Sequence, residues 1–155
     1  MLLSAILRRY PSVKGILFDL PNVADRTRAV ISKSDLSDRC IIEGGDFFSS
    51  VPVGADAYLL QHVIHDWEDD QAVTILQNCR QAMNSDGRIL LAELVIPSGD
   101  EWFFGKWLDL MMLLVGGRER TEEQYRYLFS KAGLKLTRII PTAAEISIIE
   151  GVQEF

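Results

Sequence analysis

The chain has 155 residues, 48% of them apolar and 25% charged, with a formal net charge of −6. That length supports one domain, residues 1–155, with a full-sized core. No apolar run approaches the roughly 18 residues of a membrane span, so no membrane partner is expected. Basic residues cluster only at Arg8-Arg9 and at Arg118 with Arg120, which argues against nucleic acid as a partner.

From Met1 to Tyr10 the apolar residues precede the basic ones, the reverse of a secretory leader, so a cytoplasmic location is expected. Cys40 and Cys79 lie in apolar-periodic segments without metal-type spacing and are expected to be buried free thiols.

Leu2, Leu3, Ile6, Leu7 and Tyr10 share one helical face, and Pro11 stops that helix. Val13 to Phe18 reads as a buried strand with Asp19-Leu20-Pro21 as its exit turn. Asn22 is a candidate cap for a helix to about Lys33, with Val23, Ala24, Thr27, Val30 and Ile31 facing inward. Arg39 to Ile42 is a second strand, closed by Glu43-Gly44-Gly45-Asp46, and Asp56 to Val63 a third, followed by a helix from Asp69 to Met83.

Asn84-Ser85-Asp86-Gly87 is a turn, and Arg88 to Val95 is a fourth strand stopped before Pro97. Helices are predicted over Trp102 to Leu114 and Thr121 to Ala132, the second opened by a Thr121–Gln124 capping box and ended by Gly133. Leu134 to Ile140 and Glu145 to Val152 form a terminal hairpin. Strands alternating with helices, then a hairpin, predict an α/β fold with a mostly parallel, Rossmann-like sheet and an antiparallel edge.

In open α/β sheets, ligands bind beyond the carboxyl ends of the strands. Asp19 and Asp46 follow the first two strands, where a carboxylate chelates ribose hydroxyls; each reads equally well as a cap or turn aspartate. A ribose-binding acid follows the glycine-rich turn by about 20 residues. Counting back from Asp19 puts that turn at or just before Met1.

His65-Asp66-Trp67 follows the third strand, and a histidine titrating near neutrality suits general-base work. His62 and His65 are three apart, yet no third ligand is spaced to complete a metal site, so no metal is expected. Glu93 stands among the core residues Leu90-Leu91-Ala92-Glu93-Leu94-Val95 and needs a partner there. Glu119 reads first as a solvated loop glutamate.

Asp19-Leu20-Pro21, Gly44-Gly45-Asp46-Phe47-Phe48, His65-Asp66-Trp67, Ala92-Glu93 with Pro97, and Gly116-Gly117-Arg118-Glu119-Arg120-Thr121 occur in this order. Together they resemble the catalytic domain of S-adenosylmethionine-dependent O-methyltransferases of the caffeate, hydroxyindole and bacterial polyketide-tailoring type, over essentially the whole chain.

The resemblance implies that His65 is the general base for an acceptor hydroxyl on a small aromatic or polyketide-like molecule. It implies that Glu93 and Glu119 flank the imidazole and that Asp19 holds the ribose of S-adenosylmethionine. Asp46, Phe47 and Trp67 go with the adenine, while Gln61 stands at a cofactor-side position where a basic residue, often lysine, is common. Met112 and Asp66 go with the acceptor.

The family's first strand and glycine-rich loop fall before Met1, as does its N-terminal helical domain. An unpaired central strand edge predicts compensation by a homodimer, a strand-exchanged oligomer or a separate polypeptide. Two further readings stay open: a non-catalytic methyltransferase fold serving as an interaction module, and a metal hydrolase using His62, His65 and Asp66.

Overall fold

The computed structural model describes residues 2–99, 103–112, 114 and 116–154. The chain divides into two units, Met1–Pro52 and Val53–Phe155.

In the first unit, helix α1 (Leu2–Arg9) and strand β1 (Gly15–Asp19) are followed by helix α2 (Pro21–Ile31) and strand β2 (Cys40–Gly44). β1 and β2 pair in parallel, with Asp19 opposite Gly44. Leu7, Ala24, Ile31, Leu36, Cys40 and Ile42 make the core, with Leu3 and Leu17 packed against it. Each of the buried leucine and isoleucine side chains taken out of water contributes about 1.5–3 kcal/mol. The Arg39 guanidinium donates to the carbonyls of Leu7 (2.9 Å) and Val13 (3.1 Å), tying the end of α1 to the chain entering β2.

Several sequence expectations change here, and the strand expected to be buried over Val13 to Phe18 spans Gly15–Asp19 with none of its residues fully buried. The residue before α2 is Leu20 rather than Asn22, because Pro21 takes the first helical turn, where its missing N–H costs nothing. Val30 is 67% exposed, since Ala24 and Ile31 carry the buried face. Leu2 and Tyr10 are likewise exposed at the two ends of the first apolar stripe.

The second unit contains β3 (Ala57–Gln61), a 3-10 turn (Ile64–Asp66), α3 (Asp69–Ala82), β4 (Arg88–Ile96) and α4 (Phe104–Met112). It continues with β5 (Arg120–Thr121), α5 (Glu122–Lys131), β6 (Leu134–Pro141) and β7 (Ile146–Gln153). The sheet runs β3-β4-β7-β6, with β5 pairing the end of β4. β3 and β5 lie parallel to β4, and the β6–β7 hairpin is antiparallel, β7 pairing with β4. The α/β sheet with parallel strands and a C-terminal antiparallel hairpin is thus present. β7 rather than β6 joins the hairpin to β4.

The pattern follows from the sequence. Ala72, Ile75, Leu76, Cys79 and Ala82 repeat at helical spacing and are all buried on α3. Asp69 and Asp70 occupy its first turn, where the helix dipole favours negative charge. The Asn84 amide donates to the Gly54 carbonyl (2.9 Å) and to Asp56 (2.8 Å), fixing the turn before β4.

The capping box at α5 is complete, Thr121 accepting from the Gln124 N–H and Gln124 accepting from the Thr121 N–H. Gly133, at φ +73°, ends that helix in the left-handed conformation a Cβ disfavours. Buried Glu150 links three strands, accepting from Arg88, Arg138 and Thr137; the Arg138 hydrogen bond chiefly holds its carboxyl below the usual range.

The third strand stops at Gln61, two residues earlier than expected, because His62 takes a left-handed φ of 50°. The helix expected over 102–114 spans Phe104–Met112; Leu114 lies in a turn, and Trp102 falls outside the described residues. Both cysteines are buried free thiols. No helix among the described residues is long and apolar enough to cross a membrane.

Candidate active site

The second unit gathers His65, Glu93 and Glu119 from three elements that are distant in sequence. His65 stands in the 3-10 turn after β3, Glu93 in the middle of β4, and Glu119 just before β5. Because β5 pairs with the end of β4, Glu119 is carried back beside the turn.

Glu119 Oε1 lies 2.9 Å from Nδ1 of His65. A carboxylate at that distance makes Nδ1 the protonated nitrogen and leaves Nε2 with its lone pair. Glu119 is only 2% exposed, so the solvated-loop reading of this residue is overturned. Its own N–H donates to Asp109 Oδ1 at 2.7 Å, so α4 holds the backbone that presents the carboxylate.

Glu93, fully buried, acts differently. Its Oε1 accepts from the N–H groups of Val63 (3.0 Å) and Ile64 (2.9 Å), closing the turn that carries His65. Its Oε2 is 3.9 Å from His65 Nδ1, too far for a hydrogen bond but close enough for charge to be felt. Burial pushes the Glu93 carboxyl up to about 7, against the opposing pull of His65 and the two N–H groups. The pKa of His65 is raised, chiefly by its hydrogen bond to Glu119, with burial acting against the shift.

Two further residues position this turn; the sequence places both in the 116–121 stretch but assigns neither a role. Arg120 is wholly buried and donates to the carbonyls of Ile64 (2.9 Å) and Trp67 (2.7 Å) and to Asp69 Oδ1 (2.8 Å). Its guanidinium therefore clamps the chain on both sides of His65. Gly117 passes so close that a Cβ there would strike the His65 carbonyl oxygen and come within 2.7 Å of Met112 Cε. The N–H of the next residue, Arg118, donates to that same carbonyl at 2.8 Å.

Of the other predicted residues in this unit, exposed Asp66 has Oδ1 3.4 Å from His65 Nε2. Gln61 is the exposed last residue of β3, and Trp67, half-buried, gives its carbonyl to Arg120. Met112 ends α4 and neighbours Gly117.

Asp19, Asp46 and Phe47 belong to the first unit. There Asp19 and Asp46 stand at the carboxyl ends of neighbouring parallel strands, joined by the Gly45 N–H donating to the Asp19 carbonyl (2.9 Å). Both aspartates are exposed. Asp19 Oδ1 accepts from the Leu20 N–H at 2.7 Å, and Asp46 Oδ1 accepts from the Phe48 N–H at 2.9 Å. Phe47 packs edge-on against Phe48, ring centroids 5.0 Å apart.

The family model described as the O-methyltransferase domain matches residues 1–135. The chain belongs to that family. A phenazine O-methyltransferase of Lysobacter antibioticus is 49% identical over 150 residues, covering 96% of this chain and 44% of that protein. The crystal structure of LaPhzM superposes with a TM-score of 0.93 at 48% identity, over 98% of this chain and 46% of that one. An O-methyltransferase from neocarzinostatin biosynthesis, solved with S-adenosyl-L-homocysteine and 1,4-dihydroxy-2-naphthoic acid, gives 0.89 at 37% identity, over 98% and 45%. The chain thus spans just under half the length of these relatives.

Proposed function

We propose that residues 1–155 act as one catalytic domain that transfers a methyl group from S-adenosylmethionine to a hydroxyl of a small aromatic or polyketide-like molecule. The observation that carries this reading is the His65–Glu119 pair, 2.9 Å apart with the carboxylate buried, in a chain of this family. A phenol with a pKa of about 10 is a weak nucleophile at neutral pH. His65 Nε2, its tautomer fixed from the other side, accepts the hydroxyl proton during attack. Glu119 then stabilises the imidazolium, and Glu93 adds negative charge nearby while holding the turn. Arg120 and Gly117 keep the imidazole from drifting. Met112 and Asp66 wall the acceptor, and no metal takes part in the transfer.

The chemistry the cofactor supplies when bound is an electrophilic methyl group on a sulfonium centre. The donor set fits its nucleoside part. Two exposed carboxylates at adjacent parallel strand ends suit a ribose diol and an adenine edge, and Asp19 keeps Oδ2 for that purpose while Oδ1 holds the turn. Asp19 is assigned to the ribose, and Asp46, Phe47, Gln61 and Trp67 to the remainder of the cofactor.

The chain is further read as cytoplasmic, in keeping with its two free thiols. It is read as a homodimer or strand-exchanged oligomer. Among the described residues β1 pairs only with β2, and β3 only with β4, and such open edges favour pairing.

Calorimetric titration with S-adenosylmethionine and its demethylated product tests this function. Micromolar binding that is lost in Asp19→Ala is expected. Absence of binding at millimolar ligand would leave a non-catalytic member of the family, the alternative use of the same fold.

A further inference from the structure

His62, the exposed neighbour of the active-site turn, takes no part in the proposed methyl transfer, and neither does hydrogen bonding at one oxygen of Glu93. One ligand atom from each of His62, His65 and Glu93 lies within 4.8 Å of the others. Glu93 Oε2 is 3.8 Å from His62 Nδ1 and 3.9 Å from His65 Nδ1. That oxygen is fully buried and has no hydrogen-bond partner, an expensive state for a carboxylate unless something binds it.

We propose that His62, His65 and Glu93 form a binding site for a divalent transition-metal ion of the zinc class. Two imidazoles and one carboxylate are a common zinc donor set. With metal–ligand bonds of about 2.0–2.1 Å, tetrahedral donors lie about 3.4 Å apart, so each imidazole needs to close on Glu93 Oε2 by roughly half an ångström, while the two imidazoles start within 4.8 Å of each other. His62 can make that move, because its side chain is 41% exposed. Its backbone is held by its N–H donating to the Ala92 carbonyl at 3.2 Å. The outer shell is already built, since two N–H groups fix Glu93 Oε1. Glu119 Oε1, 2.9 Å from His65 Nδ1, is a ready fourth donor.

Such an ion replaces the proton on His65 Nδ1 and breaks its hydrogen bond to Glu119. On the methyl-transfer reading, zinc therefore takes His65 out of proton transfer and acts as an inhibitor. The binding test does not depend on that reading.

The test is titration of the metal-stripped chain with Zn2+ in a non-chelating buffer, followed by Co2+ spectroscopy. One ion per chain at micromolar affinity or tighter is expected. The Co2+ form should show nitrogen and oxygen ligation without thiolate charge transfer. His62→Asn keeps the left-handed backbone, which asparagine tolerates. Glu93→Gln keeps an acceptor for the two N–H groups. Each should remain folded by circular dichroism and weaken Zn2+ binding more than about ten-fold, the smallest loss that even an outer-shell change produces. No Zn2+ binding, equal binding by His62→Asn, or thiolate bands from Cys40 or Cys79 would each overturn the site.

Discussion

Nδ1 of His65 and Oε1 of Glu119 are 2.9 Å apart, although 54 residues separate them in the chain. The contact makes one imidazole nitrogen a donor and the other a base. It also raises the affinity of the ring for a second proton, which sets how the site responds to pH.

Glu119→Gln removes the charge but keeps a hydrogen-bonding oxygen. The pKa of His65 should fall, moving the acid limb of kcat/KM to lower pH. Imidazolium stabilisation is lost as well, so the plateau rate should drop by about 10²-fold or more, within the range general-base catalysis contributes. A pH–rate profile on a phenolic acceptor checks both. An unmoved acid limb would contradict the assignment of Glu119.

Glu93 gives a stability prediction with a definite sign. Its carboxyl is raised in the folded state from 4.5 to about 7. The folded chain therefore holds this proton more tightly than the unfolded chain does. Its contribution is complete below pH 4.5 and is lost as pH rises through about 7. Raised His65 acts in the same direction. Urea unfolding from pH 5 to 8 should show wild-type stability falling relative to Glu93→Gln as pH rises. Parallel curves would contradict a strained carboxylate at this position.

Arg120 is wholly buried and carries hydrogen bonds to three carbonyls, of Ile64, Trp67 and Arg118, and to a carboxylate. Arg120→Met breaks these bonds, leaving the Ile64 carbonyl only its weaker bond from the Trp67 N–H, and should cost about 3 kcal/mol, the lower end for a broken buried ion pair, because Asp69 is partly exposed. Lysine should not rescue it, since an ammonium cannot span the same fork of acceptors. Chemical denaturation of the two variants measures both effects.

Gly117→Ala places a Cβ against the His65 carbonyl, a backbone atom that cannot turn aside. A cost of about 1–3 kcal/mol is expected, as for other forced insertions into packed sites. The methylation rate should fall further than the lost stability explains, because the displaced group carries the base. Wild-type stability and rate in the Gly117→Ala variant would show that this close approach does not matter.

Much of this arrangement was legible in the residues, through distinct physical signals. Periodicity located the strands and helices, and Thr121 with Gln124 marked the start of α5. A carboxylate amid the apolar run of β4 announced that Glu93 needed partners. Position in the chain could not say whether Glu119 was buried. That depends on β5, a two-residue strand too short for any periodic signal. Arg120 and Asp109 were hidden for a related reason, because one reads as a loop cation and the other as an ordinary helix acid. Their roles arise from contacts made 51 to 56 residues away for Arg120, and 10 residues away for Asp109. Asn22 misled because proline at the first helical turn moved the boundary back to Leu20.

Glu119 fixes the tautomer and proton affinity of His65, and this can be tested without any acceptor molecule. The decisive measurement is a nitrogen-15 NMR titration of the histidine rings in the metal-stripped chain and in Glu119→Gln. Neutral His65 should carry its proton on Nδ1 and titrate above the ordinary 6.5, and the Glu119→Gln ring should titrate lower. A proton on Nε2, or the same titration in both proteins, would contradict the role given to Glu119.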